Sequence, residues 1–159
     1  MITLRAPVDL SEHDLEVGLL VKIEGKIYLG RDAVLPRPEM VDEIEGGSIL
    51  MHGGYSDAGY GVTTSNKKAI EGSMVRLSRS GVKVHIGKGR LSDVTVKGLD
   101  KLSIFVTTPP TNGLFKDILI SRRVVAFEEE GMEALHEIVV GKNGVQGIIA
   151  AWGGKALWQ

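Results

Sequence analysis

Three short segments hold residues whose types and spacing could do chemistry. Lys88 stands between Gly87 and Gly89, directly after the apolar run "VKVHI". Thr63 and Thr64 precede Lys67 in "GVTTSNKK", where a helical pattern begins, and Arg31, Asp32 and Arg37 follow the run "KIYLG". A lysine framed by small residues lets a ligand approach the backbone closely. Its ammonium binds carboxylates, or acts as an acid or base where its surroundings lower its pKa. Hydroxyls at a helix start lie where backbone N–H groups and the helix dipole favour an anion. Each segment also has a plain structural reading: a solvated turn lysine, a threonine N-cap, and a surface Arg–Asp pair that contributes little. Taken singly, the residues leave that choice open.

Two phosphate-binding patterns are excluded. A P-loop needs a glycine where Val82 stands and a hydroxyl where Gly89 stands. A dinucleotide fingerprint starting at Gly87 meets Ser92 at its third glycine position.

The composition narrows the classes further. The 159 residues suit one domain spanning 1–159. The net charge of −1 and only three Phe, three Tyr and two Trp argue against a nucleic-acid surface. With no cysteine, this chain alone cannot form disulfides or hold a metal or iron–sulfur cluster by thiolates. No apolar run approaches the ~20 residues of a membrane span, and the N-terminus lacks a signal-peptide pattern, so a cytoplasmic protein is expected. The four histidines lack carboxylates at metal-ligand spacing, so no metal site is expected. His52 alone, at a strand end, could approach the candidate site.

Several elements must position these segments. "LLVKIEGKIYLGRD" predicts a hairpin at Glu24-Gly25, and "ALHEIVVGKNGVQGIIAAW" a second one at Asn143-Gly144. Pro38 opens a short helix. "SILMH" reads as a buried strand running into the glycine-rich loop "GGYSDAGYG". Ile70, Met74 and Leu77 share a helical face that ends at Gly81. "VKVHI", "LSIFVTT" and "VVAFEEEG" read as strands, and "LSDVTVKGL" as a short helix. The sum is an α/β fold with a mixed sheet and hairpins at both ends. Ligands of such sheets bind beyond the carboxyl ends of strands.

In order, "RDAVL" at 31–35, "GVTT" at 61–64 and "IGKG" at 86–89 resemble the β subunit of the class I fumarate hydratases and L-tartrate dehydratases. That subunit matches the C-terminal domain of the single-chain iron–sulfur fumarases. The tail "VVAFEEEGMEALHEIVV" is similar to the same family, so the resemblance runs from about residue 15 to 157. It implies a swivelling β/β/α domain beside a cysteine-bearing α subunit, whose [4Fe–4S] cluster is the Lewis acid. No cofactor is expected on this chain. By position, Lys88 and Thr63 would be the catalytic residues. Thr64, Lys67, Arg31, Asp32, Gly87 and Gly89 would bind a small dicarboxylic or related acid.

Two positions depart from the family. Leu35 stands where the family has histidine, and Lys67 where it has arginine. Lysine keeps the charge but loses the bidentate fit to a carboxylate. The expectation is therefore a β-type hydro-lyase subunit with a divergent substrate. The alternatives are a non-catalytic partner or regulatory module, and a small-anion-binding domain that keeps the fold. Homo-oligomerisation is left open by the sequence.

Overall fold

Apolar residues alternate along the strand runs, and that alternation closes a barrel. A computed structural model of the chain describes residues 1–31, 33–56, 59–62, 67–108 and 119–159. The elements in order are β1 (Ile2–Arg5), β2 (Leu20–Gly30), α1 (Met40–Glu43), β3 (Ser48–Ser56), β4 (Gly59–Val62), α2 (Lys67–Arg79), β5 (Val82–Gly87), α3 (Asp93–Leu99), β6 (Ile104–Thr107), β7 (Leu119–Ala126), β8 (Leu135–Trp152) and β9 (Lys155–Ala156). This is a mixed α/β fold dominated by its sheet.

The strands β2, β3, β5 and β6 run parallel in that order, and β8 runs antiparallel to both β6 and β2. The ring is thereby closed. It is also strongly staggered. Pairing runs from Leu29 through Met51, Ile86 and Val106 to Ile149, whose N–H then donates to the Leu19 carbonyl 2.9 Å away. A barrel of few strands needs such tilt to enclose room for side chains.

Alternate residues of each strand fill the interior, among them Ile27, Met51, Val84, Ile86, Val106 and Ile149, all essentially unexposed. The opposite faces pack outward. Tyr28, Leu50 and Val82 meet α1 and the turn before it, while Phe105, Ala150 and Ala151 meet α2 and α3. Met74 and Leu77 are the buried face of α2, as their spacing predicts. Ser92 caps α3 by accepting from the Thr95 N–H.

Neither predicted hairpin exists. Glu24-Gly25 and Asn143-Gly144 are irregularities within single long strands, facing each other where the β2–β8 register jumps from Ile23–Val145 to Gly25–Val140. Gly25 and Gly144 have φ of 86° and 56°, so the residues that favour a hairpin turn serve a bulge instead. The hairpin at the C-terminal side is β8–β9, turning at Gly153-Gly154. The segment read as a glycine-rich loop is likewise paired, with Gly53 opposite Val62 and Ser56 opposite Gly59. Its glycines hide the alternation by which a strand is recognised. No helix among the described residues is long and apolar enough to cross a membrane.

Candidate functional site at the carboxyl edge of the parallel strands

The parallel pairing of the four strands ends at one level, beyond which β3 continues in its pairing with β4. Gly30 of β2 is opposite His52 of β3, and Gly87 of β5 is opposite Thr107 of β6. Met51 and Ile86 are paired one residue earlier, which brings His52 level with Gly87. Arg31, Lys88 and Thr108 each follow one of these strand ends. With ~4.8 Å between neighbouring strands, the row spans about 14 Å. That is the size of a small-molecule site.

The two glycines around Lys88 have different causes. A Cβ on Gly87 would stand 2.8 Å from Cε1 of Phe105, so the close packing of that ring excludes any side chain. Gly89 has φ of 77° with nothing within 4 Å, so it is the turn that needs glycine there. Between them, Lys88 is half-buried and makes no ion pair with a described residue.

α2 runs back along the sheet. Its C-terminal end lies at the start of β3, where the Gly81 carbonyl accepts from the N–H groups of Gly47 and Ser48 at 2.8 and 3.3 Å. Thirteen helical residues extend ~20 Å, so Lys67 opens the helix towards the carboxyl edge. One bond ties that end to the lysine turn: Ser92 N–H donates to the Glu71 carboxylate at 2.5 Å. The first turns of α2 and the cap of α3, four residues after Lys88, are thus neighbours. Thr63, Thr64 and Asp32 lie outside the described residues.

Arg31 stands at the end of β2, with only β3 between its strand and that of Lys88. Its Nε is buried and lacks a hydrogen bond, with the Glu133 carboxylate 3.8 Å away. Arg37 is committed elsewhere. It pairs with Glu129 and Glu130, donates to the Ala33 carbonyl and stacks on Phe127. Leu35 is sealed in the outer core, against the place where Gly30 would carry a side chain. That position offers no group to a ligand.

A buried polar chain beneath α2 had only partial signals in the sequence. His52 Nε2 lies 2.8 Å from His85 Nδ1, and His85 Nε2 lies 2.8 Å from Ser78 Oγ. Ser103 Oγ can donate to Ser78 Oγ at 2.7 Å or to the Val82 carbonyl at 2.5 Å. It has one hydrogen, so these two bonds compete. In the first arrangement Ser78 donates to His85, His85 donates to His52, and His52 Nδ1–H is a donor. In the second the chain reverses and His52 Nδ1 is an acceptor. Both states are neutral, and in both Nδ1 has no partner. Burial lowers the His52 pKa to about 4, and burial together with the neighbouring His52 holds His85 well below its ordinary value. Alternation in "VKVHIG" puts His85 opposite in face to Ile86, yet only the fold brings Ser78 and Ser103 to it.

Thr108 at the end of β6 is also buried, with its Oγ1 unpaired. Along the carboxyl edge, Arg31 Nε, Thr108 Oγ1 and, on the outer face beneath α2, His52 Nδ1 are thus buried without a hydrogen-bond partner. Among the described residues no three His, Cys, Asp or Glu side chains cluster to hold a metal ion. A scan against protein-family models finds no match, and no curated protein is significantly similar to the chain.

Proposed function

We propose that this chain is the β-type subunit of an iron–sulfur hydro-lyase, acting in reversible hydration or dehydration of a small carboxylic acid. The fold would be the swivelling β/β/α domain of that class, working in the cytoplasm beside a cysteine-bearing α subunit. One observation carries the reading: at the carboxyl edge of four adjacent parallel strands stand Arg31, His52, Lys88 and Thr108, three of them with buried polar atoms lacking a hydrogen-bond partner. Buried polar groups are normally satisfied, so such a row is what a polar ligand would complete. The ordered motifs "RDAVL", "GVTT" and "IGKG" support the same reading.

The chemistry follows from charge. Removing a proton next to a carboxylate builds negative charge on that carboxylate, and a fixed cation stabilises it selectively in the transition state. Lys88 supplies that cation. Arg31, only loosely engaged by Glu133, orients the acid. His52 Nδ1 meets either a donor or an acceptor without gaining charge. Thr63, Thr64, Lys67 and Asp32 belong to this site by their place in the motifs. With no cysteine of its own, the chain cannot ligate the [4Fe–4S] cluster. Bound to the partner, that cluster would supply the Lewis acid for the substrate hydroxyl.

A second reading, a non-catalytic partner or a small-anion-binding domain, is favoured by the burial of Leu35, which leaves no proton-transferring group at that position. Anaerobic co-purification on this chain separates the readings. An iron-bearing partner is expected, with hydratase activity that falls at least a hundredfold in Lys88→Ala. An iron-bearing partner whose activity ignores Lys88 leaves the regulatory module. The absence of any cysteine-bearing partner sinks the hydro-lyase.

A further inference from the structure

We propose that the acid held at the carboxyl edge carries an apolar substituent in place of a second carboxylate. This rests on the reading that Lys88 faces a carboxylate. Beside the end of β6 lies a cavity of about 440 Å³. Met1, Leu20, Val21 and Ile148 give it apolar walls, and Thr108 and Gln146 are among its few polar lining residues. Such a volume with sparse polar groups fits a small organic ligand.

The cavity adjoins the lysine through the sheet. Gly87 is paired with Thr107, so Lys88 and Thr108 follow neighbouring strand ends ~5 Å apart. A lysine side chain spans that distance. Thr108 is 8% exposed and its Oγ1 has no partner, so it needs a polar atom from whatever enters. A ligand that places its carboxylate at Lys88 and a polar atom at Thr108 must direct its remainder along Leu20, Val21 and Ile148. A second carboxylate would lose its hydration against those walls. An alkyl group would gain about fourfold in affinity per buried methylene. The chemical class is therefore an α,β-unsaturated or hydroxy monocarboxylic acid with a short apolar tail.

Isothermal titration of the chain, alone and in its partner complex, with trans-2-hexenoate and with fumarate tests this. Hexenoate is expected to bind at least tenfold more tightly. Leu20→Gln, at a half-exposed position, should weaken hexenoate about five- to tenfold and leave fumarate unchanged, whereas the isosteric Thr108→Val, which removes a polar partner of the carboxylate end, should weaken both. Fumarate binding as tightly as hexenoate would overturn the proposal, as would hexenoate affinity indifferent to both variants. The two readings fail separately. Preference for hexenoate without any iron-bearing partner sinks the hydro-lyase and keeps the cavity assignment. A complex that hydrates fumarate in preference keeps the hydro-lyase and discards the apolar substituent.

Discussion

On β5, Val84 and Ile86 turn into the barrel while His85 between them turns out beneath α2, and all three are fully buried. The inward layer consists of aliphatic side chains with no polar atom to satisfy. The outward layer contains His52, His85, Ser78 and Ser103, whose burial is tolerable only because each hydrogen bonds to the next. Equal burial thus reflects two kinds of stabilisation. It is the second that runs out at one end, at His52 Nδ1, and that end is at the carboxyl edge. Among these four residues, incomplete pairing, not burial, distinguishes the end nearest the carboxyl edge.

The largest effect is expected inside the barrel. Ile86→Ala removes contacts on all sides of a closed ring whose walls cannot collapse freely, so it should cost about 4 kcal/mol of unfolding free energy. Urea denaturation followed by circular dichroism measures it. A loss below 1 kcal/mol would mean that the interior is loosely packed, and the contrast between the layers would weaken.

The outer layer should respond to acid instead. His52 stays neutral in the fold down to about pH 4, whereas an unfolded histidine takes up a proton near 6.5. Between those values the unfolded chain binds more protons, so stability is highest above pH 6.5 and declines as pH falls towards 4. His52 alone accounts for about 3 kcal/mol of that decline, and His85 adds in the same direction. Denaturation midpoints at pH 7.0, 5.5 and 4.5 should show a slope that is shallower in His52→Gln. An equal slope in the variant would assign the acid sensitivity elsewhere.

The legibility of the sequence divides along the same lines. Periodicity reveals α2, β5, α3 and β6, because one buried face imposes a regular repeat. It does not reveal barrel closure, which depends on β8 reaching two partners far away in the chain. The glycine pairs at 24–25 and 143–144 mark real irregularities, but a bulge and a hairpin use the same residue types. At the site, Lys88 and its glycines are conspicuous by spacing alone. Thr108 and Ser103 are not, since a lone hydroxyl in an apolar run has no distinguishing pattern until its neighbours are known. Arg37, grouped with Arg31 by proximity in the chain, turns away to Glu129 and Glu130.

The smallest effects distinguish the two glycines that flank Lys88. Gly87→Ala pushes a methyl group against the ring of Phe105, itself 2% exposed and unable to retreat. Overpacking of this kind should cost about 2 kcal/mol and displace the lysine from the strand end. Gly89→Ala meets open space, so only the left-handed backbone opposes it, at about 1 kcal/mol. Gly89→Asn should recover most of that loss, because asparagine tolerates the conformation. Thermal melts of the three variants provide the comparison. If Gly87→Ala proves as mild as Gly89→Asn, Phe105 yields, and the lysine is held by the turn alone. If the order holds, the core anchors one side of Lys88 and the turn only releases the other, which fixes the lysine backbone at the strand end between β3 and β6.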